Sequence, residues 1–492
     1  MSSIIIGSGF GGLTAAALLA KQGYDVTVLE KNEQPGGRAR VWRKDGYAFD
    51  MGPSWYLMPD VFERFFKEFQ IDPSEHLSLR RIDPSYRIFF NDGTITDVAA
   101  SLEDNYELFD SFEPRGGEKL REYLEKAAKH YNLTMESLLY REYDSLLDLI
   151  DGRLMIEGLR MPIFGSVDSY VSSIFTSEKA KKILEYSIGF IGGSPSNTPA
   201  LYYIMNHVDL KLGVWYPEEG GIGRLVKAIH DLAVEHGADF HFNEPARKII
   251  IDNDHAVSVL TDQGEYAGDH IIVNADYPYA EFNLIEEKHR SYDAKYWDTR
   301  VMAPSAMVIY VGLDKQLEKL EHHNLYLAED WEKGFESIFD PKKAAWPQNP
   351  SYYVNVTSKN DSTVAPEGGE TLFVLVPLAP DLEDTEELRE EHYRKIMGHL
   401  EGIAGEPIIG HEAVKRIFCV NDFKADYNAY KGTALGLTHT LMQTAIFRPS
   451  HKSKKVDNLY YTGHYTHPGI GMPMAMISSQ ILCKTITEKG GS

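Results

Sequence analysis

The chain has few cysteines, no long apolar run and no charged leader segment. Its only cysteines, Cys419 and Cys483, form neither a C-x-x-C pair nor a disulfide framework, which favours a reducing cytoplasm. The longest apolar stretches, 301–313 and 371–380, are shorter than the roughly 18 residues that a membrane span requires. No charged region precedes the apolar N-terminal segment. We therefore expect neither a transmembrane helix nor a signal peptide.

Basic charge is also scarce. There are 50 lysines and arginines against 73 aspartates and glutamates, which gives a formal net charge of −23. Such a surface repels nucleic acid and anionic lipid head groups. We expect no nucleic-acid partner, and the composition does not indicate an oligomeric state.

A glycine-rich turn near the N-terminus predicts a dinucleotide-binding site. The apolar segment Ile4-Ile5-Ile6 is followed by Gly7-Ser8-Gly9-Phe10-Gly11-Gly12, which has glycine at all three positions of G-x-G-x-x-G. The first glycine permits a tight turn, the second lets the backbone approach a pyrophosphate, and the third lets the helix pack on the sheet. Glu30 ends the second predicted strand and can accept both ribose hydroxyls, which argues against NADP.

Changes in hydrophobic periodicity divide the rest of the chain. Large apolar residues follow mainly helical spacing over 101–204, whereas the region after 292 has β-type runs and one charged helix at 386–400. The β-type runs are 306–313, 352–356 and 372–378. The predicted fold class is α/β, with the following parts: a discontinuous dinucleotide domain (1–85, 210–290 and 440–492), a helical lobe (86–209) and a second α/β domain (291–439).

Further motifs occur in the order seen in a known family. They are Glu30-Lys31, Pro35-Gly36-Gly37-Arg38, Phe49-Asp50-x-Gly52-Pro53, Gly220-Gly221, Asn274-Ala275-Asp276 and Thr466-His467-Pro468-Gly469-x-Gly471-x-Pro473. With the glycine turn, they resemble the bacterial and archaeal phytoene desaturases, which are carotenoid desaturases in the glutathione-reductase-like flavoprotein superfamily that includes amine oxidases. The resemblance implies FAD as cofactor, a Rossmann-like FAD-binding domain, an inserted α/β substrate domain and a helical, membrane-facing lobe.

The resemblance also implies which residues bind FAD. The pyrophosphate would lie against Gly7, Ser8, Gly9, Phe10, Gly11 and Gly12, and the adenosine against Glu30, Lys31 and Ala246. The diphosphate and ribityl chain would lie beside Gly36, Gly37 and Arg38, and the isoalloxazine above Met51, Gly52, Pro53 and Ser54. The segments closing over the flavin would be Gly463, His464, Gly471, Met472, Pro473 and Met474.

His464 departs from the family, in which an acidic or small residue is common at this position. We expect it to make a polar contact near the flavin. The spacing His464-x-x-His467 does not by itself predict a metal site, and we expect no metal.

A second dinucleotide fingerprint is absent from the sequence. Enzymes that relay electrons from NADH through flavin usually need such a site, so the substrate itself is expected to reduce the flavin. The family passes electrons on to a membrane quinone or dioxygen. Hydride removal from an allylic carbon needs positioning and exclusion of water more than an acid–base pair. The sequence identifies no catalytic residue.

The resemblance implies phytoene as substrate, converted toward lycopene, with a hydroxycarotenoid 3,4-desaturase as the near rival. The cofactor motifs are also compatible with a flavin amine oxidase or protoporphyrinogen-oxidase-like enzyme, a redox-neutral isomerase and a carotenoid carrier. Because carotenoids are long, apolar and resident in bilayers, we expect an apolar tunnel with a membrane-facing mouth, in a cytoplasmic protein bound peripherally to the membrane. Both features would be formed by apolar segments of the helical lobe. These segments are 146–150, 154–156, 159–164 and 186–191.

Overall fold

Two large β-sheets, one parallel and one mainly antiparallel, organise the chain. The structure is a computed structural model and describes residues 1–143, 162 and 165–490. Three of the four apolar segments expected to face the membrane, 146–150, 154–156 and 159–164, fall outside the described residues apart from position 162.

The parallel sheet confirms the predicted Rossmann-like domain. Its spatial order is β19-β13-β1-β2-β9, and every neighbouring pair is parallel. The strands are β1 (Ser2–Ile6), β2 (Asp25–Leu29), β9 (Asp239–His241), β13 (His270–Val273) and β19 (Leu459–Tyr461). The alanine-rich helix α1 (Phe10–Lys21) begins directly after the glycine turn and is buried along almost its whole length. This close packing is possible because its side chains are small.

The second sheet has the order β18-β14-β17-β16-β15-β6-β7, and only β15 and β6 pair in parallel. Its strands are β6 (Tyr86–Phe90), β7 (Ile95–Val98), β14 (Ser305–Leu313), β15 (His323–Leu327), β16 (Tyr352–Asn355), β17 (Glu370–Leu378) and β18 (Glu412–Phe418). Residues 86–98, predicted to belong to the helical lobe, therefore contain the last two strands of this sheet, β6 and the edge strand β7. Their placement depends on pairing with β15, which lies far along the chain. The three-domain division stays a proposal.

Smaller sheets connect these parts. Two are antiparallel pairs, β3 (Val41–Lys44) with β4 (Tyr47–Asp50), and β5 (Leu79–Arg81) with β8 (Trp215–Pro217). A third has three antiparallel strands, β10 (Lys248–Asp252), β11 (His255–Leu260) and β12 (Glu265–Ala267). These sheets bring the predicted cofactor loops against the core.

The helices cluster where helical spacing predicts them. Before residue 210 they are α2 (Pro59–Glu68), α3 (Leu102–Phe112), α4 (Gly116–Thr134), α5 (Val167–Ser172) and α6 (Glu178–Phe190). The later ones are α7 (Ile222–Glu235), α8 (Tyr277–Tyr279), α9 (Ala294–Asp298), α10 (Trp331–Phe339), α11 (Glu386–Ala404), α12 (Val420–Tyr427) and α13 (Met472–Gly490). Within the described residues, no helix combines the length and apolarity that crossing a bilayer would demand.

Candidate functional site

A cavity of about 840 Å³ is bordered by residues of both large sheets. All the predicted cofactor residues except Ser8 and Gly12 line it. The predicted cofactor residues that line the cavity are Gly7, Gly9, Phe10, Gly11, Glu30, Lys31, Gly36, Gly37, Arg38, Met51, Gly52, Pro53, Ser54, Ala246, Gly463, His464, Gly471, Met472, Pro473 and Met474. The fold thus brings segments from opposite ends of the chain to one site.

Ser8 and Gly12 lie behind this lining and shape it. The Ser8 backbone N–H and hydroxyl both donate to Oε2 of Glu30, each at 2.8 Å. A Cβ atom at Gly12 would overlap the carbonyl oxygen of Gly7, so only glycine lets the helix start so close to the turn. Both residues therefore support the turn rather than face the cavity.

Glu30 is placed to bind a ribose. It is 4% exposed, and its Oε1 accepts hydrogen bonds from the backbone N–H and side-chain amide of Asn32, at 2.9 and 3.0 Å. Two of its four donors, the Ser8 hydroxyl and the Asn32 amide, are side-chain groups that ribose hydroxyls can replace. The two backbone donors would stay. Lys31 instead donates to the Ala425 carbonyl at 2.6 Å and ties the strand end to α12.

Arg38 presents positive charge to the cavity and forms no ion pair with the described residues. Among the described residues, no carboxylate oxygen lies within 4 Å of its guanidinium, and its buried Nε has no hydrogen-bond partner. Its one hydrogen bond to those residues goes from Nη2 to the Thr433 carbonyl at 3.4 Å, and its guanidinium lies over the Tyr427 ring at 5.1 Å. A half-buried guanidinium with free donors suits a diphosphate, which it can bind in a bidentate manner.

Asp50 joins two of the sequence motifs. Its carboxylate accepts hydrogen bonds from the backbone N–H groups of Ile222 and Gly223 at 2.8 and 3.0 Å, and it therefore caps the start of α7. Burial raises the pKa of this carboxyl to about 7. A Cβ at Gly221 would overlap the carboxylate, which explains why glycine precedes the helix.

We expect Asp50→Ala to lower the melting temperature by a few degrees, equivalent to about 1–3 kcal/mol, because two helix N–H groups lose their acceptor. Asp50→Asn keeps one acceptor oxygen but places an amide donor against the second helix N–H, so it should melt between Asp50→Ala and the native protein. Thermal unfolding monitored by circular dichroism separates the two variants. Equal destabilisation by both would contradict this role.

A loop near the C-terminus is held by a buried arginine. Arg448 donates to the backbone carbonyls of His464 at 2.7 Å and of Tyr465 and Thr466 at 3.1 Å, and burial lowers its pKa to about 10. Burial also lowers the pKa of His464 well below its usual value, so its imidazole is neutral. Its Nε2 finds no hydrogen-bond partner among the described residues, and the residue lines the cavity. In the described part of the chain, no group of three potential ligands could hold a metal ion.

Beyond the cofactor segments, the cavity is walled by apolar and aromatic side chains. Trp55 stacks on His323 with ring centroids 4.2 Å apart. The Ser54 hydroxyl donates to Tyr353 at 3.0 Å, and the Tyr353 hydroxyl donates to Nδ1 of His323 at 2.6 Å. Burial lowers the pKa of His323 well below its usual value. These contacts hold the side chains of Ser54 and Trp55 in place on the cavity wall.

Most residues of this apolar and aromatic wall could not be predicted from the sequence. Trp55 adjoins a motif and could have been proposed on that ground, but Tyr353 and His323 carry no local signal. Tyr186 and Phe190 also line the cavity and belong to the predicted apolar segment 186–191, and the other lining residues include Leu57, Ile204, Val308 and Leu375. An elongated apolar ligand fits such a wall.

Comparison with known proteins decides the family. The model of the flavin-containing amine oxidoreductases matches residues 10–487. The chain belongs to this family. Its cofactor is accordingly FAD, and the fold has the flavin amine oxidase type of parallel sheet and helices.

Sequence relatives of this family member are carotenoid desaturases. The chain is 43% identical to a carotenoid 3,4-desaturase of Haloarcula japonica over 98% of this chain and 97% of that protein. It is 31% identical to a zeta-carotene-forming phytoene desaturase of Myxococcus xanthus, over 98% and 93%. These similarities confirm the resemblance inferred from the motifs.

A solved structure supports the fold alone. An oxidoreductase from Methanosarcina mazei superposes with a TM-score of 0.63 at 16% identity, over 99% of this chain and 100% of that one.

Proposed function

We propose that the protein is an FAD-dependent carotenoid desaturase. The observation that carries this proposal is the continuity of one cavity, in which the dinucleotide segments pass into an apolar and aromatic wall. A flavin and a long apolar substrate can therefore meet without water between them. The similarity to named carotenoid desaturases supports the same substrate class.

The residues that line the cofactor end of the cavity would hold FAD. Glu30 would accept the adenosine ribose hydroxyls, Arg38 would bind the diphosphate, and the loop from Met51 to Ser54 would lie under the isoalloxazine. FAD, when bound, supplies the hydride acceptor for desaturation. The free donors of Arg38 and the replaceable donors around Glu30 fit this group.

The protein's own contribution is positioning and exclusion of water. Trp55 and Ser54 both line the cavity, and stacking on His323 holds the Trp55 ring in place. His439 and His467 also line the cavity, and burial lowers the pKa of each to about 3, so they stay neutral and add no charge. A closely packed, mainly apolar path lets a polyene align with the flavin and limits side reactions with water.

Electrons would leave to a quinone or to dioxygen. This part of the proposal rests on the single dinucleotide fingerprint, since the sequence has no second one for NADH. Anaerobic reduction followed by reoxidation with a quinone or with oxygen would identify the acceptor.

Two substrates within this class are candidates. The motifs favour phytoene, whereas the 43% identity to a carotenoid 3,4-desaturase favours desaturation near the end of an already modified chain. Expression in a bacterial host that accumulates phytoene, with pigment analysis by chromatography, tests the first. Conversion only after hydroxylated precursors are supplied would favour the second, and no conversion of either would contradict the proposed function.

We also propose that the cavity mouth contacts a membrane. Two short 3₁₀ helices, Leu441–Gln443 and Ala445–Phe447, expose Leu441 (48%), Met442 (61%) and Phe447 (39%), and Leu441 and Phe447 line the cavity as well. Apolar side chains exposed beside an opening are typical of a lipid contact. Because the net charge is −23, this contact would be apolar rather than electrostatic.

Replacing Leu441, Met442 and Phe447 together by glutamine should reduce binding to phosphatidylcholine vesicles at least tenfold, because each side chain loses its apolar transfer free energy. Flotation measures the bound fraction. Ile95, Val257 and Ile409 are exposed apolar residues outside the cavity, and their triple glutamine variant serves as the control. Equal binding by both triple variants would contradict this contact.

A further inference from the structure

Asp209 is a buried carboxylate that faces the apolar part of the cavity. It lies in the π-helical turn His207–Leu212, is 2% exposed and lines the cavity. Its Oδ2 accepts hydrogen bonds from the hydroxyls of Tyr86 and Tyr186 at 2.9 and 3.0 Å. Its Oδ1 has no partner in the described part of the structure. A buried polar atom without a partner is costly, so its presence calls for a ligand or another explanation.

This carboxylate is not compensated by a cation from the described residues. Among them, no basic side chain lies within 4 Å of it, and burial raises its pKa to about 7. The nearby Ser187, which follows Tyr186 on α6, also lines the cavity, and its hydroxyl contacts no hydrogen-bond partner within the described ranges. Asp209 and Ser187 therefore add two unsatisfied polar groups to a lining that is mainly apolar and aromatic.

This polar spot lies close to the predicted flavin loop. Tyr86 and Tyr186 hold Asp209, and their ring centroids are 5.6 and 6.1 Å from that of Trp55. Trp55 in turn follows Ser54, which is expected under the isoalloxazine. One layer of aromatic rings thus separates the carboxylate from the loop. If one end of a long substrate binds at Asp209, the carbons close to that end, and not those in the middle of the chain, would lie beside this loop.

We propose that Asp209, held by Tyr86 and Tyr186, forms a subsite that binds a hydroxyl group at the end of a polyene substrate. This inference rests on the proposed function and specifies its substrate class. A hydroxyl donates to Oδ1, the one acceptor left open by the two tyrosines. The same subsite selects against a hydrocarbon end, which would leave Oδ1 buried without a partner.

A neutral hydroxyl fits this subsite better than an ammonium group does. Moving a cation into an apolar cavity carries a large desolvation penalty, and a carboxyl with a raised pKa near neutrality is only partly ionised. A hydroxyl, in contrast, can pair with either protonation state. The aromatic rings nearby could also surround a cation, so an amine serves as a probe in the test.

The test uses the FAD-bound protein and two polyenes of equal length and conjugation that differ only in one terminal hydroxyl. The measured quantity is the second-order rate constant for anaerobic reduction of the bound FAD. The native protein should prefer the hydroxylated polyene by about 10- to 100-fold, as expected for a hydrogen bond to a charged group. Asp209→Leu combined with Tyr86→Phe and Tyr186→Phe should bring this ratio close to one, because no donor is left unpaired.

Two further variants separate recognition from folding. Asp209→Asn keeps an oxygen for the tyrosines but replaces the other acceptor by a donor, and should also reduce the ratio. Glu185→Gln changes a buried carboxyl that does not line the cavity, and should leave the ratio unchanged. FAD absorbance and the melting temperature report on the fold of each variant.

Equal rates for the two polyenes in the native protein, or a ratio that persists in the triple variant, would overturn the subsite and leave the desaturase proposal standing. Rapid reduction by a primary alkyl amine that is lost in the triple variant would assign Asp209 to a cation and overturn the inference. Reduction by neither polyene, with FAD bound, would instead overturn the proposed function.

Discussion

Replacing Arg38 by methionine is expected to weaken FAD binding by about 30- to 5,000-fold. Among the described residues, no carboxylate oxygen lies within 4 Å of the guanidinium, and its buried Nε has no hydrogen-bond partner, so its donors are available to a diphosphate. Truncating one member of a buried charge pair typically costs about 2–5 kcal/mol. Titration of the apoprotein with FAD, followed by flavin fluorescence quenching, gives the dissociation constant.

Arg43→Met is the matched control for this prediction. Arg43 lies on β3, a few residues away, and is exposed outside the cavity. The Arg43→Met variant loses the same charge, and its dissociation constant for FAD should stay within about threefold of the native value, as expected for a surface charge. A similar loss for both variants would show that general charge, not a contact with Arg38, controls FAD binding.

Replacing Ala306 by tryptophan is expected to lower polyene turnover at least 100-fold while FAD stays bound. Ala306 lies on β14 and lines the cavity, as does Val308 two residues further along the same strand. An indole there fills space that the substrate needs. Adding side-chain volume to a packed site also costs about 1–3 kcal/mol, so the melting temperature must be followed.

A volume series makes this prediction sharper. Ala306→Ser should retain most activity, Ala306→Val should lose part of it, and Ala306→Trp should lose nearly all of it, at constant FAD content. Chromatographic measurement of product per bound FAD tests the order. Full activity of the tryptophan variant would show that the substrate does not pass β14.

The cofactor end of the site could be predicted because its constraints are local. Gly12 must be glycine to avoid the Gly7 carbonyl, and Glu30 must end the strand beside Ser8. Each requirement fixes a residue type at a set spacing, and such a pattern can be recognised from the sequence alone. Arg38 and Ser54 followed from the family resemblance, and both line the cavity together with the glycine turn.

Tyr186 lies in the predicted apolar segment 186–191, but the rest of the substrate end could not be predicted because its residues meet only through long-range pairing. Asp209 lies between apolar residues, and Tyr86 and Tyr186 reach it from a strand and a helix that are distant in sequence. Tyr86 itself belongs to a strand that the periodicity placed in a helical lobe, since the pairing of β6 with β15 leaves no local signal. His323 and Tyr353 come together in the same way, across β15 and β16.

Anaerobic reduction of the protein-bound FAD by a polyene is the most direct test of the central claim, which is that one cavity holds both the flavin and a long apolar substrate. Without nicotinamide or oxygen, adding the polyene should bleach the flavin absorbance and yield one new carbon–carbon double bond per FAD reduced. Bleaching only by NADH or an amine, or no bleaching by phytoene or by any hydroxylated polyene, would contradict the account.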